Sequence, residues 1–266
     1  MQMGHERCGT TVGAGLLAEQ LTRCEAVLYD FDGPVTRLFH GYPTLVAAKE
    51  VKEIVRAWLG GPLPAVMEES EDPHGVLLQV RSLRLGVGLL EKHPDSFLRR
   101  LDAVIEAHEL IAARTAEPTP GFADLFAGLA EKSVRQAIVT NNAPKAVLQY
   151  LVRQWLLGGV HSIHGRLPNE PLLMKPHPRS LLSALSSLDL PAEACLFIGD
   201  QPSDLAAAGA AGVPFVGFAH NDAKFLRLRN AGADVIVRSM GEISDVLRLA
   251  RRPGQPVRAD AVHRRR

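Results

Sequence analysis

The chain is poor in cysteine, in net charge and in long apolar segments, and each shortage excludes a class of protein. Its three cysteines, Cys8, Cys24 and Cys195, form no CxxC pair, so reduced thiols in a cytoplasmic setting are expected rather than a disulfide framework. The formal net charge of +1 provides no global field that would attract nucleic acid or an acidic membrane surface. No uninterrupted apolar run approaches the ~20 residues of a membrane span. We therefore expect a cytoplasmic protein that binds neither nucleic acid nor membrane, and the sequence does not indicate its oligomeric state.

Short apolar runs alternate with helical patterns over most of the chain. The candidate strands are residues 26–29, 136–139, 159–163, 195–198, 215–218 and 235–237. The helical patterns that follow the second strand cover residues 144–157, 178–188, 203–211, 223–231 and 242–250. This alternation predicts an α/β fold, with a doubly wound, parallel, Rossmann-like sheet at its centre.

One long segment breaks the alternation directly after the first strand. Residues 37–117 contain helical patterns at 44–59, 76–90 and 96–113, without a convincing strand, and the proline-rich residues 117–121 follow as a stiff hinge. This predicts an all-helical cap domain of residues 37–117, inserted into a core of residues 15–36 and 118–252. Residues 1–14 and 253–266 lack apolar periodicity and are predicted to be flexible termini.

Polar side chains that could take part in catalysis or ligand binding follow three of the predicted strands, and one more lies in a later loop. Ligands of open parallel sheets bind beyond the carboxyl ends of the strands, where these side chains are expected to meet. They are Asp30 and Asp32 after the first strand, Thr140 and Asn141 after the second, Lys175 in a later loop, and Asp200 and Asp204 after the fourth.

These residue types suit a metal-bound phosphate. Asp30 and Asp32 share one side of the strand end, so their charges repel unless a cation is present or one pKa is raised. Thr140 can donate a hydrogen bond, and the amides near Asn141 face an anion at a helix N-terminus. Lys175 would add positive charge, and carboxylates such as Asp200 are oxygen ligands of the kind Mg²⁺ prefers.

The same residues carry a family resemblance. Four segments resemble, in order, the motifs of the haloacid dehalogenase superfamily, and residues 37–117 are similar to the helical type-1 cap of its phosphoglycolate-phosphatase-like members. The segments are Asp30-Phe31-Asp32-Gly33, Thr140-Asn141, Lys175-Pro176 and Gly199-Asp200-Gln201-Pro202-Ser203-Asp204.

The resemblance implies a Mg²⁺-dependent phosphatase of a small phosphorylated metabolite. Asp30 would be the nucleophile that forms an aspartyl-phosphate, and Asp32 the general acid and base. The metal would be held by the carboxylates of Asp30 and Asp200 and the backbone carbonyl of Asp32. Asp204 would bind it through water or orient Lys175.

Two departures from the family pattern concern the residues that follow the first motif. Pro34 stands where Thr or Val is usual, and its fixed φ is expected to reshape the turn that leaves the site. Arg37 stands where many relatives carry an acid. We hypothesise that Arg37 contacts an anionic part of the substrate; an exposed arginine without such a role is the alternative.

Three other functions share parts of this pattern. A phosphotransferase or phosphomutase would use the same core residues and exclude water from the aspartyl-phosphate. A dehalogenase would use Asp30 on carbon and need neither Asp32 nor Mg²⁺. A non-catalytic binding module would be expected to lack the nucleophile or the acid, and both are present.

Overall fold

A six-stranded parallel sheet forms the centre of the computed structural model, which describes residues 12–82 and 94–249. Its strands are β1 (Ala26–Tyr29), β2 (Arg135–Val139), β3 (Ser162–His164), β4 (Cys195–Gly199), β5 (Phe215–Phe218) and β6 (Ile236–Val237). They are arranged in the order β3-β2-β1-β4-β5-β6, and all five neighbouring pairs are parallel. The predicted α/β class with a doubly wound parallel sheet is confirmed.

The helices lie on both faces of this sheet and in an insertion after β1. They are α1 (Ala14–Arg23), α2 (Thr44–Leu59), α3 (Ala65–Glu69), α4 (Pro73–Ser82), α5 (Pro94–Ala113), α6 (Phe122–Glu131), α7 (Pro144–Arg153), α8 (Arg179–Leu188), α9 (Pro202–Ala211), α10 (Asp222–Asn230) and α11 (Met240–Leu249).

The short central strand β1 is buried on both sides. Val27 and Tyr29 pack with residues of α1, α6, α7 and α11, whereas Ala26 and Leu28 pack with residues of α8, α9 and α10. Successive strand residues point to opposite faces, so a fully apolar strand fills both layers at once. This burial fixes the point at which Asp30 leaves the sheet.

The inserted helices α2 to α5 have an apolar core of their own. It includes Val51 and Val55 of α2, Val76 of α4, and Leu101 and Ile105 of α5. The spacing of these residues by three to four positions places them on one face of each helix. An all-helical insertion was predicted, and this cluster fits that prediction.

Several details differ from the sequence prediction or lie outside the described residues; among them, α3 was not predicted and α7 ends at Arg153, before residue 157. Helix α6 was missed, and the predicted strand at 159–163 begins only at Ser162, after a 3₁₀ turn at Leu157–Gly159. Residues 12–14, assigned to a flexible terminus, pair with the core instead: Val12 forms an antiparallel bridge to Ile236, and α1 begins at Ala14. The predicted helix at 76–90 overlaps α4 up to Ser82. Residues 83–93, and the rest of both predicted termini, lie outside the described residues.

The two connections between the sheet and the inserted helices run side by side. Thr36 pairs with Pro118 in an antiparallel bridge, and the Thr36 hydroxyl donates to the Glu117 carbonyl at 2.7 Å. The amide of Thr119 donates to the carbonyl of Val35 at 3.0 Å. This pairing joins the predicted hinge to the turn that carries Asp32.

None of the helices in the described part of the chain has the length and apolar character needed to cross a membrane.

Candidate functional site

A cavity of about 350 Å³ lies beyond the carboxyl ends of the strands. Seven of the eight residues proposed for the site line it: Asp30, Asp32, Thr140, Asn141, Lys175, Asp200 and Asp204. Its volume lies within the range of small-molecule sites, roughly 300–1,000 Å³. The strand ends therefore bring together side chains that are far apart in sequence.

The buried Lys175 ammonium lies between two carboxylates on the floor of the cavity. Its Nζ is 2.8 Å from Asp30 Oδ1 and 2.6 Å from Asp204 Oδ1. Burial acts to lower the pKa of Lys175, but the charges of Asp204 and Asp30 outweigh it and raise the pKa above its ordinary value. Lys175 is thus held as a cation between the Asp30 and Asp204 carboxylates.

Asp32 differs from Asp30 in its surroundings. The Leu38 amide donates to Asp32 Oδ1 at 2.8 Å, which holds the side chain at the start of the connection to the inserted helices. Burial, together with the nearby charge of Asp30, raises the pKa of Asp32 to about 6. A carboxyl group with this pKa can both give and take a proton near neutral pH.

Gly33 allows the turn after Asp32 to approach Asp200. Its φ of +116° lies in a region that other residues rarely adopt, and a Cβ atom there would overlap the Asp200 carboxylate. The turn is closed by hydrogen bonds from the Gly33 amide to the Thr36 carbonyl, 2.7 Å, and from the Thr119 hydroxyl to the Gly33 carbonyl, 2.5 Å. Glycine is therefore required here by both conformation and space.

The loop between β2 and α7 carries the predicted phosphate-binding residues. The Thr140 hydroxyl donates to Asn142 Oδ1 at 2.9 Å, and the Asn142 amide donates back to Thr140 Oγ1 at 3.1 Å. Asn141 bonds the backbone of Lys175 twice: Lys175 N donates to Asn141 Oδ1 at 2.8 Å, and Asn141 Nδ2 donates to Lys175 O at 3.1 Å. The loop thus brings the Thr140 hydroxyl, the N-terminus of α7 and Lys175 close together.

The acids of the site fit a divalent cation. Asp30, Asp200 and Asp204 are buried and each offer one carboxylate oxygen within 4.8 Å of the others. Asp200 Oδ1 is buried without a hydrogen-bond partner among the described residues, and such an oxygen is costly unless a ligand satisfies it. Lys224 of α10 contacts the other oxygen, Asp200 Oδ2. A cluster of hard oxygen ligands of this kind suits Mg²⁺.

Arg37 is the one residue proposed for the site that does not line the cavity. Its side chain is exposed, and its backbone amide bonds the Glu117 carbonyl at 3.2 Å in the hinge. The arginine that does line the cavity is Arg227 of α10. The role suggested for Arg37 stays a prediction, and Arg227 is a second candidate for contact with an anionic substrate.

Sequence reasoning missed the contributions of α10 and of the inserted helices. Lys224 and Arg227 follow β5, so the rule that ligands collect at strand ends applies to them as it does to Asp200. His74 and Asp72, at the start of α4, line the cavity from the insertion, and no local pattern indicates this. Arg166, two residues after β3, is buried behind the loop at Asn141, where the same strand-end rule applies.

Comparison with known proteins identifies the family that this chain resembles. A model of the haloacid dehalogenase-like hydrolases matches residues 24–212. The chain is 30% identical over 196 residues to the phosphoglycolate phosphatase of Rhodospirillum rubrum, covering 72% of this chain and 78% of that protein. It is 26% identical over 212 residues to the phosphoglycolate phosphatase of Pseudomonas syringae, covering 73% and 69%.

Solved structures share the fold. A haloacid dehalogenase-like family hydrolase from Streptococcus pneumoniae superposes with a TM-score of 0.55 at 18% identity, covering 84% of this chain and 98% of that one. A HAD-superfamily hydrolase of subfamily IA from Geobacter sulfurreducens does so with a TM-score of 0.51 at 22% identity, covering 85% and 97%. At these identities, the likeness concerns the fold alone.

Proposed function

Because the chain belongs to the haloacid dehalogenase-like hydrolase family, we propose that it is a Mg²⁺-dependent phosphatase that hydrolyses a small phosphate monoester through an aspartyl-phosphate on Asp30. The observation that carries the proposal is the cluster of Asp30, Lys175 and Asp204, with Thr140 and Asp200, on the floor of one cavity. Relatives with the name phosphoglycolate phosphatase make phosphoglycolate the first substrate to test.

In the first half of the reaction, Asp30 attacks phosphorus. Both contacts to its carboxylate, from Lys175 Nζ and from the Phe31 amide at 2.7 Å, use Oδ1, so Oδ2 is the oxygen that attacks. A bond forms between Asp30 and phosphorus while the bond from phosphorus to the leaving oxygen breaks. Asp32 gives its proton to that oxygen.

In the second half, water attacks the aspartyl-phosphate. Asp32, now ionised, takes a proton from the water, and the bond between phosphorus and Asp30 breaks to give inorganic phosphate and the free carboxylate. The pKa of about 6 on Asp32 suits both tasks, because neither form is strongly disfavoured near neutral pH.

The remaining residues bind and orient the phosphate. Thr140 and the amides near Asn141 donate hydrogen bonds to its oxygens, and Lys175 offsets its charge. Mg²⁺, held by Asp30, Asp200 and the Asp32 carbonyl and supported by Asp204, would neutralise charge on the phosphate oxygens and polarise phosphorus. The core of residues 15–36 and 118–252 supplies all of these groups, and the cap of residues 37–117 closes over them to exclude bulk water.

The test is a phosphate-release assay over a panel of small phosphate monoesters that includes phosphoglycolate, with Mg²⁺ and with excess EDTA. We expect release from at least one monoester, loss of release in EDTA, and loss in Asp30→Asn, which keeps the size of the side chain. Asp245→Asn, a matched change on the exposed face of α11, should leave release unchanged. Release that persists in Asp30→Asn would contradict the proposal. Transfer to an added sugar or alcohol in place of water would identify a phosphotransferase.

A further inference from the structure

The inserted helices contact the phosphate-binding loop through one buried carboxylate. Glu109 of α5 has no exposed surface on its side chain, yet it accepts hydrogen bonds from three parts of the molecule. These parts are the loop at Asn142 and Ala143, Arg166 beyond β3, and His74 of α4. No step of the proposed reaction uses Glu109, Arg166 or His74.

The first set of contacts joins Glu109 to the loop itself. Asn142 Nδ2 donates to Glu109 Oε1 at 3.1 Å, and the backbone amide of Ala143 donates to Glu109 Oε2 at 2.8 Å. Asn142 is in turn the partner of the Thr140 hydroxyl. Glu109 therefore lies one hydrogen-bonded residue away from Thr140, which is proposed to contact the phosphate.

Arg166 forms the second connection between Glu109 and the loop. Its Nη1 donates to Glu109 Oε1 at 2.9 Å and to the Asn141 carbonyl at 2.8 Å, and its backbone amide donates to the Asn142 carbonyl at 3.0 Å. Arg166 also pairs with Asp102 of α5. The guanidinium thus bridges two acids of the insertion and the backbone of the phosphate-binding loop.

The third contact reaches the cavity. His74 Nε2 lies 2.8 Å from Glu109 Oε1 and 3.0 Å from Arg166 Nη1, and the same residue lines the cavity above the acids. Burial acts to raise the pKa of Glu109, but Arg166 and His74 together lower it to about 2. Glu109 is therefore ionised at neutral pH and contacts Asn142, Ala143, Arg166 and His74.

We propose that Glu109 is a positioning residue for the phosphate-binding loop: it acts through Asn142 and Arg166, so that the loop reaches its phosphate-binding geometry only while the cap is seated on the core. The inference rests on the proposed function only for the identity of the anion at the loop. Without Glu109, the Asn142 side chain loses its acceptor, and Arg166 keeps its contacts with Asp102, His74 and the loop carbonyls. Thr140 and Asn141 are then free to move away from the phosphate oxygens.

A second ion pair between α5 and the core provides a matched control. Glu106 of α5 pairs with Lys145 of α7 at 2.7 Å, and the Lys145 side chain is mostly exposed. Glu106→Gln removes a cap–core ion pair one turn away from Glu109 without touching Asn142 or Arg166. If Glu109 only held α5 against the core, the loss of either ion pair should have the same effect on phosphate binding. If Glu109 positions the loop, only the loss of its own contacts should weaken phosphate binding.

The experiment measures inorganic phosphate binding by calorimetry in the presence of Mg²⁺, with the melting temperature as a second readout. We expect Glu109→Gln and Asn142→Ala each to weaken phosphate binding by about tenfold, since a misplacement of about 1 Å at a site can cost up to about 100-fold. The double variant should be less than additive, because both changes break the same contact. Glu106→Gln should bind phosphate as the wild type does.

Two outcomes would overturn the inference. One is a Glu109→Gln protein with a lowered melting temperature and unchanged phosphate affinity, which would make Glu109 purely structural. The other is an Asn142→Ala protein that binds phosphate as the wild type does; this variant keeps the Glu109–Arg166 pair and serves if Glu109→Gln does not fold. If the wild type binds phosphate but releases none from any monoester, the proposed function fails while these binding comparisons still decide the role of Glu109.

Discussion

At the scale of single residues, the site depends on a few side chains whose neighbours change their chemistry. Asp30 and Asp32 are two residues apart, yet Asp30 pairs with Lys175 whereas Asp32 lies buried beside an acid and has a pKa raised to about 6. One is thereby suited to attack and the other to carry a proton. A buried carboxyl group with a raised pKa beside a second carboxylate is typical of acid–base sites.

The first prediction concerns Gly33. In Gly33→Ala, the new methyl group would overlap the Asp200 carboxylate at a φ of +116°, so Asp200 must move. We expect phosphate release to fall by about 100-fold, the cost of a misplacement of about 1 Å. The control is Gly232→Ala, at a φ of +93° with open space around it. It should lose only about 1–2 kcal/mol of stability, the cost of a left-handed conformation, and keep its activity. An equal loss of activity in both variants would show that displacement of Asp200 is not the cause of the loss in Gly33→Ala.

The second prediction separates two arginines. Arg227 lines the cavity, whereas Arg37 lies outside it, and its backbone amide bonds to Glu117 of the hinge. For an anionic substrate such as phosphoglycolate, we expect Arg227→Ala to raise KM by roughly tenfold, the size of one lost charged hydrogen bond. Arg37→Ala should leave KM unchanged. Steady-state kinetics of both variants decide this, and a raised KM in Arg37→Ala with an unchanged KM in Arg227→Ala would instead support the hypothesis for Arg37.

At the scale of secondary structure, the strand ends were predictable and the contacts between the insertion and the core were not. Asp30, Thr140 and Asp200 each follow a strand directly, and because these strands are parallel their ends lie at one edge of the sheet. The pairing of Glu109 with Arg166 depends on how α5 packs against the loop after β3, 57 residues away in sequence. Patterns within one segment do not contain that information.

Helix α6 was missed for a different reason. Phe122, Leu125, Phe126 and Leu129 are all buried and follow the spacing of one helix face. The helical signal was therefore present in the sequence, directly after the proline-rich hinge.

The third prediction tests the electrostatics between α5 and the core. The pKa of Glu109 is lowered from its ordinary value of 4.5 to about 2, so the folded state holds this group ionised more strongly than the unfolded state does. The stabilisation, about 3 kcal/mol, is complete above pH 4.5 and is lost as the pH falls towards 2. Chemical denaturation at a series of pH values should show this loss in the wild type and in Glu106→Gln, but not in Glu109→Gln. Parallel pH profiles for all three proteins would contradict it.

At the scale of the whole molecule, the cap and the core share two kinds of connection. The antiparallel bridge between Thr36 and Pro118 fixes where the insertion leaves and re-enters the core, close to Asp32. The charged contacts of Glu109 and Arg166 join the C-terminal half of α5 to the phosphate-binding loop. Movement of the cap is thus expected to affect both the chemistry of the Asp32 carboxyl group and the binding of phosphate at the loop. The cytoplasmic location expected from the sparse cysteines stays a prediction.

The measurement that tests the central claim most directly is the covalent trapping of the phosphoryl group. The protein is mixed with a ³²P-labelled monoester substrate and Mg²⁺, quenched in acid during turnover, and digested for peptide mapping. We expect a label that hydroxylamine removes, on the peptide that contains Asp30, and no label in Asp30→Asn. A wild-type protein that turns over the substrate with no label on this peptide, or with the label on another residue, would contradict the account.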